Sequence, residues 1–172
     1  MSQAFALSVS EPSPVTYEVP NSYYVDVPVS GQDNPYRLFV SVPEGDAPKE
    51  GFPVVYLMDG NAFFSAAVTA SKALMHPRFE HKQAAIIIGL GYPIEGTHDI
   101  ERRWFDLTPP TVQAPALPQK HMEFCKTIKF GGAEQTLSLL VDQIRPWLAA
   151  QYPINPAQQI LFGHSLGGLF TL

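Results

Sequence analysis

The sequence predicts an α/β fold: a mostly parallel sheet with two antiparallel strands at its N-terminal side and helices on its faces. Three observations predict it. Residues 54–58 (VVYLM), 84–90 (AAIIIGL) and 159–162 (QILF) are short apolar runs with little polar alternation, as expected of strands covered on both faces. Helix-favouring segments separate these runs, and alternating strand and helix is the order that produces parallel pairing. Upstream, residues 23–29 (YYVDVPV) and 36–42 (YRLFVSV) are β-rich and are joined by SGQDNP, whose Gly, Asp, Asn and Pro form turns, so they read as an antiparallel pair.

Taken in order, residues 1–16 read as a disordered or extended arm, and residues 17–172 as one incomplete domain. After the second strand, PEGDAPKEGFP is a loop. The run at 54–58 is closed by Asp59, Gly60 and Asn61, and residues 63–75 (FFSAAVTASKALM) form a helix on the strength of their Ala, Leu and Met. Residues 91–132 are a long excursion, and loops of that length in compact domains are usually functional or mobile; a substrate-facing role is the expectation. From Ala133 the pattern turns helical: Leu137, Leu140, Val141, Ile144 and Leu148 share one face at helical spacing. Pro146 has no N–H for the carbonyl of Asp142, so a kink or break is expected there.

Composition narrows the function. With 11 Lys and Arg against 16 Asp and Glu, a net charge of -5 and a pI near 5.4, the chain lacks the clustered basic surplus that nucleic-acid binding needs. A small neutral or modestly charged ligand fits better. A single cysteine, Cys125, forms no internal disulfide, so a reducing, cytoplasmic setting is the expectation, ahead of a periplasmic one. The N-terminus lacks the basic region of a signal peptide, and no run is long and apolar enough to span a bilayer. No cofactor is expected. No metal site is expected either: His76 and His81 are spaced without a carboxylate partner in a suitable pattern.

The chemistry concentrates at residues 160–172, ILFGHSLGGLFTL. Gly163, Ser165 and Gly167 match G-x-S-x-G, directly after an apolar strand and before a helix-compatible segment. That context makes a nucleophile elbow: a sharp turn strains the serine backbone, and flanking glycines let neighbouring chain pass close by. The serine hydroxyl then sits at a helix N-terminus, where free N–H groups favour the negative charge that develops in acyl transfer.

Several stretches together resemble the esterase D type α/β-hydrolases, and within them the siderophore (enterobactin-type trilactone) esterases. They are YRLFVSVP, FPVVYLMDGNAFF, ERRWFDLTP and GGAEQTLSLLVDQIRPWLAAQYPINPAQQILFGHSLGGLF, in that order. The resemblance implies a truncated α/β-hydrolase fold and a small-molecule ester substrate. It implies Ser165 as nucleophile, with the backbone N–H of Leu166 as one oxyanion donor and that of Asn61, in the MDGN turn, as the other. It also implies that Arg102 and Arg103 line the substrate cleft; their alternatives are a solvated pair or ion pairs with Glu101 or Asp106. Trp104 and Phe105 are expected to pack rather than to stack on substrate.

In this fold the catalytic order is serine, acid, histidine, and residues 166–172 contain neither an acid nor a histidine. Of the histidines, His164 is part of the elbow with its side chain expected to point away from Ser165. His98 or His121 paired with Asp99 or Asp106 would need a rewired site. Loss of the base in serine hydrolases costs roughly 10⁶ in kcat, so this chain alone is expected to be nearly inactive. It reads as the N-terminal portion of a longer esterase, completed by a further C-terminal portion or a second chain, with the strand at 159–162 left as an open apolar edge. The alternatives are an inactive ligand-binding remnant built on Arg102 and Arg103, and a thioester or peptide serine hydrolase.

Overall fold

Strand β4 (Ile86–Gly91) is buried along its whole length, because IIIGLG has no side chain to offer to water and both of its edges are paired. In the computed structural model, which describes residues 18–29, 34–75, 78, 84–110 and 128–172, it is the middle of a five-stranded sheet. The other strands are β1 (Ser22–Val27), β2 (Tyr36–Ser41), β3 (Phe52–Leu57) and β5 (Ile154–Phe162), in the order β1-β2-β4-β3-β5. β1 runs antiparallel to β2 and β2 to β4, whereas β3 is parallel to both β4 and β5. The sheet is thus mixed, with two antiparallel N-terminal strands joined to a parallel set, as the sequence indicates.

Alternation along the strands divides the core between two faces. Ile87 and Leu57 pack with Phe64 and Val68 of helix α1 (Gly60–Leu74). Gly60 and Gly89 let that helix approach closely: a Cβ on Gly60 would fall 2.7 Å from the Gly89 carbonyl carbon. On the opposite face Ile86, Ile88, Val54, Tyr56, Leu38 and Val40 pack with Leu139, Leu140, Ile144 and Leu148. These belong to one continuous helical run: α3 (Ala133–Ser138), a π-helical segment (Leu139–Ile144) and α4 (Arg145–Gln151).

The π segment is how the chain accommodates Pro146. The Arg145 N–H donates to the carbonyl of Leu140, five residues back, and this wider turn suits a position whose next residue has no N–H to give. It also shifts the buried face. Thr136, Leu139, Leu140, Ile144 and Leu148 are buried, but Leu137 and Val141, expected on that face, are exposed, because Leu139 and Ile144 are separated by a π turn instead of an α turn.

The excursion at 91–132 contains a helix that the sequence reading missed, α2 (Ile100–Asp106), with the Asp99 carboxylate accepting from the Arg102 N–H at 3.1 Å. The last helix is α5 (Leu166–Phe170). β5 is longer than residues 159–162; its register against β3 shifts between the Phe52 and Val54 rungs. It is an edge strand, with Ile160 59% and Phe162 47% exposed, the open apolar edge that was expected. The arm at 1–16, His76, His81, His121 and Cys125 lie outside the described residues. Among those described, no helix is long and apolar enough to cross a membrane, and no three His, Cys, Asp or Glu residues cluster as metal ligands.

Candidate active site

Because β3 and β5 are parallel neighbours, their carboxyl ends lie side by side, joined by a last hydrogen bond from the Met58 N–H to the Phe162 carbonyl at 2.9 Å. Each strand then turns sharply into a helix through a non-glycine residue with positive φ. In the first turn it is Asp59 (φ 54°, ψ 49°); in the second it is Ser165 (φ 57°, ψ -116°). For a residue with a Cβ such a conformation is strained and persists only where the surroundings impose it. At the second turn they do: a Cβ on Gly163 would collide with the Gly167 carbonyl, and one on Gly167 would lie 3.1 Å from Met58 Cβ and 3.3 Å from Asp59 Oδ2. The elbow therefore rests directly on the Met58 and Asp59 side chains, a fit that glycine at 163 and 167 allows.

Ser165 is exposed at the head of α5, and its carbonyl accepts the Leu169 N–H at 2.9 Å. Leu166 is the first residue of α5 and Asn61 the second of α1; first-turn N–H groups have no partner within their own helix and are free to face a ligand. The Asn61 side chain is held in place. Its Nδ2 donates to the Tyr92 carbonyl at 2.9 Å, and its Oδ1 accepts the Tyr92 N–H at 2.8 Å. That arrangement ties the start of α1 to the chain leaving β4.

Both arginines have partners within the protein, although Nη2 of Arg102 is buried without a hydrogen bond among the described residues. Arg103, expected at an open cleft or paired with Glu101 or Asp106, is buried; its Nε and Nη2 each donate to one oxygen of the buried Asp59 carboxylate at 2.8 Å. That hydrogen-bonded partner raises the already high pKa of Arg103. Arg102, one position earlier on α2, points elsewhere: its Nη1 donates to the Pro35 carbonyl at 2.8 Å, and its guanidinium lies 4.6 Å from the ring centres of both Tyr36 and Tyr92. Asp106 completes this cluster by accepting the Tyr92 hydroxyl at 3.0 Å, and burial pushes its carboxyl above the usual range. A substrate contact by Arg103 would have to compete with the Asp59 pair. Trp104 and Phe105 pack against Phe130 and Gly132.

Two histidines fall among the described residues. The His164 ring is turned onto Phe63 of α1, with centroids 5.7 Å apart, and His98 lies on the same phenyl ring at 6.4 Å. His98 Nδ1 faces Thr97 Oγ1 at 3.1 Å, while the neighbouring Asp99 caps α2. Phe63, which also touches Phe162, and the Asp59 carboxylate are site features the sequence reading did not single out. The signal for the second was available as a charged residue in a turn otherwise built of glycine and asparagine.

An α/β sheet with a strained serine where a parallel strand meets its helix defines an α/β hydrolase. The chain belongs to the esterase family, whose model, described as "Putative esterase", matches residues 31–172. It is 33% identical over 168 residues to the siderophore triacetylfusarinine C esterase of Aspergillus fumigatus, covering 94% of this chain and 52% of that protein. It is 32% identical over 142 residues to the ferri-bacillibactin esterase BesA of Bacillus subtilis, covering 82% and 48%. The crystal structure of the BES protein from Bacillus cereus superposes with a TM-score of 0.77 at 31% identity, over 96% of this chain and 58% of that one. The chain thus spans about half the length of the curated relatives it matches.

Proposed function

We propose that this chain carries the nucleophile and oxyanion hole of a serine-dependent siderophore ester hydrolase. The observation that carries the reading is the conformation of Ser165 (φ 57°, ψ -116°), strained and exposed beside the turn that bears Asn61. Ser165 Oγ attacks the ester carbonyl carbon, and the carbonyl oxygen takes up the negative charge. The N–H groups of Leu166 and Asn61 hold that oxyanion, a contribution of roughly 3 to 4 kcal/mol for each donor. Collapse of the tetrahedral intermediate breaks the ester bond, releases the alcohol and leaves an acyl-serine, which water cleaves in the same way.

The proton of Ser165 needs a base, and neither His98 nor His164 is paired with a carboxylate among the described residues. In this reading the histidine and its acid come from protein beyond the matched half, and this chain alone is a weak catalyst. A siderophore ester is the proposed substrate because the named relatives are esterases of triacetylfusarinine C and ferri-bacillibactin; the same scaffold in a thioester or peptide hydrolase would differ only in substrate profile. A ligand-binding remnant built on Arg102 and Arg103 has less support, since Arg103 is forked onto Asp59 and, among the described residues, only Nη2 of Arg102 is left as a buried guanidinium nitrogen without a hydrogen-bond partner. The test is labelling with a fluorophosphonate, alongside hydrolysis of a short-chain p-nitrophenyl ester, for the chain and for Ser165→Ala. Because phosphonylation draws on the same base as hydrolysis, slow labelling at Ser165 that vanishes in the alanine variant, with ester turnover weak in both, is expected. Equal labelling of both proteins removes Ser165 as the nucleophile, and rapid turnover lost only in Ser165→Ala places a base within this chain.

A further inference from the structure

We infer that Asp59 and Arg103 are a positioning pair for the oxyanion hole, holding the turn that presents the Asn61 N–H against the elbow of Ser165. The inference rests on the nucleophile reading above and adds residues that act through the donor without touching substrate. Three features of the pair are unusual for a device that only stabilises a fold. Asp59 stands at the N-terminal boundary of α1, where its carboxylate would ordinarily cap the helix, yet it makes no cap bond. Both its oxygens are instead committed to Arg103 at 2.8 Å. Buried ion pairs are often no more stabilising than apolar residues of the same volume, and Asp59 also carries the strain of positive φ. What the arrangement does supply is geometry: a guanidinium fork fixes a carboxylate in direction as well as distance.

The pair sits where that geometry matters. The Asp59 carbonyl accepts the N–H groups of Ala62 and Phe63 at 2.9 and 3.2 Å, enclosing Asn61 in the turn. Asp59 Oδ2 lies 3.3 Å from where a Gly167 Cβ would stand, so the same carboxylate also borders the elbow. α2 grips the turn by a second route: Asp106, three residues after Arg103, accepts the Tyr92 hydroxyl, and the Tyr92 backbone holds the Asn61 side chain. A short helix outside the elbow thereby sets the distance between the two oxyanion donors.

The experiment compares the chain with Arg103→Lys, which keeps the charge opposite Asp59 but loses the fork, and with Ile144→Val, a core change on the far face of the sheet. Two quantities are read: the rate of Ser165 labelling by a fluorophosphonate, and hydrogen exchange of the Ala62 and Phe63 amides by NMR. Since a displacement of ~1 Å can cost 10²-fold in rate, Arg103→Lys is expected to slow labelling by about tenfold or more and to speed exchange at both amides. Ile144→Val should change neither, even where its Tm falls as far. Labelling by Arg103→Lys within about twofold of the parent overturns the inference. If Arg103→Lys does not fold, Asp59→Asn with Arg103→Gln, which leaves no lone charge, is read the same way. If the parent chain labels too slowly at Ser165 to compare, as the lack of a base would give, exchange alone decides: unchanged rates overturn the clamp, and about tenfold faster exchange upholds it. Equal labelling of parent and Ser165→Ala marks failure of the nucleophile reading instead.

Discussion

The two strand-to-helix turns at the carboxyl ends of β3 and β5 use the same backbone device with opposite support. Both pass through a non-glycine residue of positive φ, and neither uses that residue's side chain to cap the following helix. Asp59 is 3% exposed, with its carboxylate forked by Arg103 and the next side chain but one bonded twice to Tyr92. Ser165 is exposed, and its conformation is held from beneath by glycine backbone packed on Met58 and Asp59. Under the proposed function the difference follows from two tasks, attack by Ser165 and donation by the Asn61 N–H. A nucleophile needs an unencumbered hydroxyl, so its strain has to be imposed through the backbone. A donor that offers only an N–H can have every side chain around it tied down.

The largest effect should come from removing that support. Arg103→Ala leaves the Asp59 carboxylate buried without its partner, and breaking a buried pair in this way costs about 3 to 5 kcal/mol, read as a fall in the denaturation midpoint. The exposed pair of Arg37 with Asp26 on β2 and β1 is the control: Arg37→Ala there should barely move the midpoint, because solvent already screens that contact. Equal losses at the two sites would mean that burial of the Asp59 pair is not what matters. The second effect is smaller. Asn61→Ala keeps the backbone donor but strands the Tyr92 N–H and carbonyl that its amide satisfies, at a cost of roughly 1 to 3 kcal/mol. A loss near zero would separate the Asn61 side chain from the support of the first turn.

The second turn was legible in the sequence and the first only half so, for a physical reason. An elbow is local: Gly163, Ser165 and Gly167 carry their own steric logic within five residues, after an apolar strand. The first turn is assembled from distant chain, and no spacing within MDGN announces that Arg103 of α2 will meet Asp59, 44 residues away. α2 itself left signals that a reading of the excursion as loop passed over: Asp99 as cap, Glu101 early, Arg103 late and Pro109 beyond. Adjacent arginines on a helix point about 100° apart, so Arg102 and Arg103 could not have shared one cleft-facing role once that helix formed. The exposure of Leu137 and Val141 was hidden for a related reason, because hydrophobic periodicity assumes a constant turn and Pro146 makes the turn change.

The smallest prediction probes the second turn and has the opposite sign. Ser165→Gly removes the Cβ whose clash makes φ 57°, ψ -116° costly, relieving strain of order 1 to 3 kcal/mol, while the added freedom of glycine in the unfolded chain takes back roughly 0.5 to 1 kcal/mol. The net is a gain of about 1 kcal/mol, read as a Tm higher by roughly 2 to 4 °C for a chain of this size, together with complete loss of phosphonate labelling. Asp59→Gly relieves the same sign of φ at the first turn and should nevertheless destabilise, because it abandons Arg103 in the protein interior. If both glycine variants shift Tm in the same direction, the two turns do not differ in their source of support; opposite shifts mark one as strained for chemistry and the other as held by its charges.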